Sequence, residues 1–213
     1  MKKLFSLDNP VLRFLDKMAD MIILNLLFIV CSIPVITVGA SATTMCYVTL
    51  KMRDGEEGSV FKDFFKAFRK NFVQATLIWI ILAVLAAILL VDYRLIRDLE
   101  GSGYQIIRIL LPICAVLWGV IILYVFFIQA RFQNTIPNTL RNALTLAIVN
   151  APRCLLAVAI PVAAWWLITF DIDTFSLGLL ILLVIAFSGL AKINCHLLCR
   201  KVEGLAPKEK KPK

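Results

Sequence analysis

Charge is scarce in this chain of 213 residues: Asp, Glu, Lys and Arg together make up 17% of it. Soluble globular domains carry about 25%. Histidine occurs once, and the six cysteines are scattered among apolar residues rather than paired in polar loops, which argues against a disulfide framework. No GxSxG, HExxH, P-loop or nucleotide-binding glycine motif is present, so no catalytic pattern stands out and no enzyme activity is expected. Inside the long apolar runs there is no midplane pair of acid and base of the kind that proton-coupled transport or ion pumping needs. Asp20, Arg108, Arg153 and Lys192 all fall near the ends of such runs, where long cations can snorkel to an interface.

What fills the chain instead is apolar. Hydrophobic residues make up 61% of it and the mean hydropathy is +0.87. A soluble core of this length could not hide so much apolar surface, whereas a bilayer can, and an ordinary cytoplasmic enzyme is excluded. The net charge of +9 follows from membrane topology and does not point to nucleic acid.

About 20 apolar residues cross the hydrocarbon layer. Phe72–Val91, Ile109–Ala130, Cys154–Phe170 and Leu177–Ala191 with its continuation to Leu198 meet that length or approach it. The run Met21–Leu50 is too long for one straight crossing, and its middle, IPVITVG, holds Pro34, a β-branched triplet and Gly39. A hairpin turning near Pro34–Gly39 leaves all but Arg94, Arg97 and Arg108 of the 23 basic residues on the inner side. A single first crossing strands more of them outside, so the positive-inside rule favours the hairpin. The short link Asp171–Thr174, with two acids and no base, suits an outer position, as do Tyr93, Tyr104, Trp165 and Trp166, while Trp79 and Trp118 fall deeper and are expected to pack between helices. The expected fold is therefore all-α, a polytopic transmembrane helix bundle. Its six spans lie at about 20–35, 38–52, 72–92, 107–130, 153–170 and 175–199, the first two short and forming a hairpin. A disordered basic tail, 206–213, closes the single domain 1–205. Asn9 and Pro10 punctuate the start of the first helix.

Three segments are candidates for function. Ser59–Phe72 repeats Val60, Phe61, Phe64, Phe65, Phe68 and Phe72 at helical spacing, with Lys62, Asp63, Lys66, Arg69 and Lys70 on the other side. This predicts an amphipathic helix over 59–71 in the cytoplasmic interface. Phe61, Phe64, Phe65 and Phe68 would contact the bilayer, and Arg69 and Lys70 headgroups or a partner. A fainter stripe, Leu140, Ala143, Leu144, Ala147 and Ala151, predicts a second surface helix, and Asn71 and Asn150 sit at matching places before a span, as an internal duplication would leave them. The first hairpin is the natural place for a ligand: Asn25, Thr37, Ser41 and Thr44 lie on short, broken helices whose backbone could coordinate a solute. The competing reading is that Gly39–Thr43 is small for close helix packing, with hydroxyls bonded back to their own helix. Cys195, His196 and Cys199 lack metal-ligand geometry on a helix, so no metal or other cofactor is expected.

The residues Asn9–Pro10, Asn25–Leu26–Leu27, Ile33–Pro34 through Thr37–Val38–Gly39–Ala40, Tyr47, Gly55–Glu56–Glu57 and Phe64–Phe65 through Asn71–Phe72 resemble the N-terminal half of the YesL-like bacterial membrane proteins. The resemblance covers about the first 80 residues specifically. It implies an integral protein of the bacterial plasma membrane, from a family without assigned catalytic or binding residues whose members are often encoded beside carbohydrate ABC importers in Firmicutes. The expected function is that of a non-enzymatic accessory subunit for carbohydrate ABC import, both termini cytoplasmic. Its partners would be the lipid bilayer and the importer's permease or ATPase subunits, with no nucleic acid. The alternative is an autonomous small-solute transporter or channel working at the broken first hairpin.

Overall fold

The computed structural model describes residues 10–56, 58–97, 102–132, 135–149 and 182–202, with positions 159, 163 and 178. Nearly all of these residues are helical, with no strand among them. The elements are α1 (Pro10–Ser32), a 3-10 turn (Val35–Thr37), α2 (Val38–Arg53), α3 (Val60–Arg97), α4 (Ser102–Arg131), α5 (Ile136–Val149), a π-turn (Leu182–Ala186) and α6 (Phe187–Val202). Among the described residues, three segments are long and apolar enough to cross a membrane: Val35–Arg53, Val60–Arg97 and Tyr104–Arg131. The expected span 153–170, the beginning of 175–199 and the tail 206–213 lie outside the described residues, as do Trp165, Trp166 and the Asp171–Thr174 link.

The apolar run Met21–Leu50 is a hairpin. Pro34 and the turn after it break the helix, and the Thr37 hydroxyl shares its one proton between the carbonyls of Cys31, 2.6 Å away, and Pro34, 2.7 Å away. At the other end of α2, Gly55 takes φ +74° and the Glu56 N–H reaches back to the Lys51 carbonyl at 3.2 Å, a Schellman stop that only a residue without Cβ enters freely.

The segment 59–71 is not a separate surface helix. It forms the first turns of α3, 38 residues in one unbroken helix. The physical reason is the absence of a breaker: no Gly or Pro interrupts Val60–Arg97, and the Asn71 side-chain amide bonds back to the Ala67 carbonyl at 3.0 Å instead of ending the helix. At 1.5 Å per residue α3 is roughly 57 Å long. Hydrocarbon covers only about 30 Å of that, so α3 is too long to lie wholly within it.

α2 runs antiparallel to α3. Lys51 pairs with Asp63 at 2.8 Å near one end, and Gly39 lies against Ala75 and Trp79 at the other. Added to Gly39, a Cβ would meet the Ala75 carbonyl oxygen and the Trp79 Cβ, each at 2.5 Å, so this glycine is what lets the two backbones touch. Trp79 Nε1–H donates to the Val35 carbonyl at 2.8 Å. The turn of the hairpin therefore sits beside Trp79, and α3 continues past it to Arg97, about 27 Å further. α4 returns along α3: Trp118 Nε1–H donates to the Leu82 carbonyl at 2.9 Å, and Arg108 caps the end of α3 through the Ile96 and Arg97 carbonyls at 3.3 and 3.1 Å.

Two apolar clusters hold the helices. One centres on Tyr124–Ile128 of α4, buried on every side between Leu50, Ile78, Leu82, Ala143, Leu146 and Cys195. The other joins Leu24 and Phe28 of α1, Met45 and Val48 of α2, Phe64 of α3 and Ala191 of α6. α5 stands where the second stripe was read, and its buried face is Thr139, Ala143, Leu146 and Ala147. Beyond Trp79 the pattern inverts. Ile80, Val84, Ile88 and Val91 of α3 and Ile106, Ile109, Ile113 and Val116 of α4 are exposed, far more contiguous apolar surface than a water-soluble protein carries. Apolar residues turned outward on helices of this length mark a membrane protein.

Candidate functional site

Among the described residues, the four hairpin candidates do not line a shared cavity. The Asn25 side chain is wholly buried, and its Oδ1 accepts the Ser188 backbone N–H at 3.1 Å. The π-turn Leu182–Ala186 ends just before Ser188, and such a change of winding frees backbone groups from their usual partners. Asn25 thus joins the first described helix to the last. The Ser41 hydroxyl donates to the Thr37 carbonyl at 3.1 Å and Thr44 to the Ala40 carbonyl at 2.7 Å. Together with the two Thr37 bonds, these are hydroxyls satisfied within their own segment, and the small residues from Gly39 serve the approach of α2 to α3.

On the first turns of α3 the aromatic side faces protein more than lipid. Phe64 is 0% exposed and stacks on Phe68 at 6.1 Å, with Phe65 edge-on at 5.8 Å. All three pack into the α1–α2–α6 cluster. Phe61 is 57% exposed and is the ring of the four that looks outward. Phe64 is thus covered by α1, α2 and α6 rather than left to a bilayer, while Phe65 and Phe68 are half-buried against the same cluster. Lys62, Lys66, Arg69 and Lys70 are exposed on the opposite side, spaced at one and two helical turns, so they form a basic stripe on a firmly seated helix.

Two openings meet beside this region. A polar one, about 670 Å³, lies between α1, the end of α2 and the start of α3, and carries Asp16, Asp20, Lys51 and Asp63. A second, about 470 Å³, lies between α1, α2 and α6, with Lys17, Arg53, Lys192 and His196 around a floor that includes Met21 and Leu24. The sequence reading named Lys192 and His196 singly. Cys195 is buried in the core beside His196, which is exposed, and the Cys199 side chain lies outside the described residues.

Residues 21–93 match the model of a family described as a protein of unknown function, DUF624. The matched stretch covers the hairpin, the start of α3 and its apolar length. No curated protein and no solved structure matches the chain.

Proposed function

We propose that the chain is a non-enzymatic accessory subunit of a membrane assembly, of the YesL-like type, with six spans and both ends on the cytoplasmic side of a bacterial plasma membrane. The observation that carries this reading is the basic stripe Lys62, Lys66, Arg69 and Lys70. It stands on a helix whose other face is locked by Phe64, and that helix is too long to lie wholly in hydrocarbon. A fixed row of cations beside the membrane suits docking against an acidic surface of a partner protein. The family resemblance supplies the partner class, the permease or ATPase subunit of a carbohydrate ABC importer.

The test is purification of the protein from native membranes in mild detergent, with co-purifying proteins identified by mass spectrometry. Recovery of importer subunits, reduced by Arg69→Glu with Lys70→Glu while the protein remains folded, supports the reading. Recovery of the protein alone overturns it and shifts weight to autonomous transport, read as solute flux in liposomes.

A further inference from the structure

The opening between α1, α2 and α6 combines three features. Its floor is apolar and buried, with Met21, Leu24 and Cys195 each under a tenth exposed. Its rim is cationic. Lys17 and Lys192 form no ion pair among the described residues, and the Lys192 ammonium has only the Met21 sulfur as acceptor, at 3.7 Å. A thioether is a weak acceptor for an ammonium that offers three donors. Arg53, on the same rim, pairs with Asp54 at 2.9 Å. Its level is also set: Lys17 precedes the apolar run of α1, Arg53 ends α2, and Lys192 follows Ala191 on α6. These three cations therefore gather at one end of the cavity, so a ligand lying in it meets charge there and apolar side chains at Met21 and Leu24.

We propose that this cavity binds an anionic phospholipid, its phosphate held by Lys17, Lys192 and Arg53 and the start of an acyl chain lying on Met21 and Leu24. Its volume of about 470 Å³ falls within the range of pockets that enclose small ligands. A free phosphate would satisfy the cations and leave the apolar floor empty, whereas an amphiphile fills both. The neighbouring acids Asp16 and Asp20 bound the site on the α3 side and limit how many anionic groups it admits. The proposal does not depend on the accessory reading. The stripe at Arg69 and Lys70 is on another helix, so the two fail separately.

The test uses the full chain in maltoside detergent, with lipid binding read by native mass spectrometry and by the thermal unfolding midpoint. The probes are dioleoylphosphatidylglycerol, dioleoylphosphatidylcholine and inorganic phosphate. Phosphatidylglycerol is expected to bind and raise the midpoint, and the other two to do so far less. Lys17→Ala with Lys192→Ala should weaken phosphatidylglycerol binding on the order of thirtyfold, at about fivefold for each interfacial lysine. Ile193→Trp, which narrows the cavity and leaves every cation in place, should also weaken it and guards against a charge variant that folds poorly. Protection by inorganic phosphate equal to that by phosphatidylglycerol would assign the site to a soluble anion and overturn the lipid. Equal binding of the two lipids, or unchanged binding by both variants, would overturn the site itself.

Discussion

Replacing Asn25 with leucine removes the acceptor that the Ser188 N–H uses, at 3.1 Å, in a place closed to water. An unpaired buried donor costs about 1–3 kcal/mol, and side-chain hydrogen bonds between membrane helices average about 0.6 kcal/mol with a ceiling near 1.7. Leucine returns part of the loss as apolar contact with the α1–α6 interface. The expected net destabilisation is therefore about 1–2 kcal/mol. For a chain of this length that lowers the melting midpoint by about 3–6 °C. The assay is thermal unfolding of the full chain in detergent, followed by tryptophan fluorescence. Asn25→Asp is the control, because a protonated aspartate keeps a carbonyl oxygen facing Ser188. It should lose less than Asn25→Leu. If Asn25→Leu melted with the parent protein, or if both variants lost the same stability, the bond would not be what Asn25 is for. A solute-binding role at the hairpin would then regain its standing.

Gly39→Ala should destabilise by about 1–3 kcal/mol, as overpacking does, because its Cβ would meet the backbone oxygen of Ala75. Crosslinking between cysteines placed in α2 and α3 would report the separation. Phe64→Ala should cost about 3–5 kcal/mol and Phe61→Ala much less. Equal effects in a melting assay would restore the bilayer-facing reading of this helix. Gly55→Ala meets no atom within 4 Å but must hold φ +74°. A loss of about 1 kcal/mol in the same assay is expected, and no loss would show that the turn can relax.

The long apolar helices, the break after Ser32 and the small residues of α2 were legible because composition and breakers act locally. Pro34 and Gly39 announce a turn in any context. Charge counting reads the side on which the ends of a hairpin lie. It carries no information about how deep its turn reaches, which the contact of Gly39 with Trp79 sets. The amphipathic pattern over 59–71 was also legible, yet periodicity names an apolar face without naming its partner. Phe64 looks the same in a sequence whether lipid or Leu24 covers it. Asn25 was singled out for a solute at the broken hairpin, and the partner it has in the structure lies 163 residues away, next to a π-turn that no local signal announces. The rim of Lys17, Arg53 and Lys192 was invisible for the same reason, since only tertiary packing gathers the ends of three helices.

The uninterrupted length of α3 has a mechanical consequence. A helix without glycine or proline resists bending, so Val60–Arg97 moves as a rod about 57 Å long. Tilting it by about 10° while one end is held displaces the other by about 10 Å, given that length. The cationic stripe occupies one end of the rod, and the Arg108 cap on the Ile96 and Arg97 carbonyls grips the other. A load applied to Arg69 or Lys70, near one end of this helix, would be delivered as leverage to the α3–α4 junction at its other end.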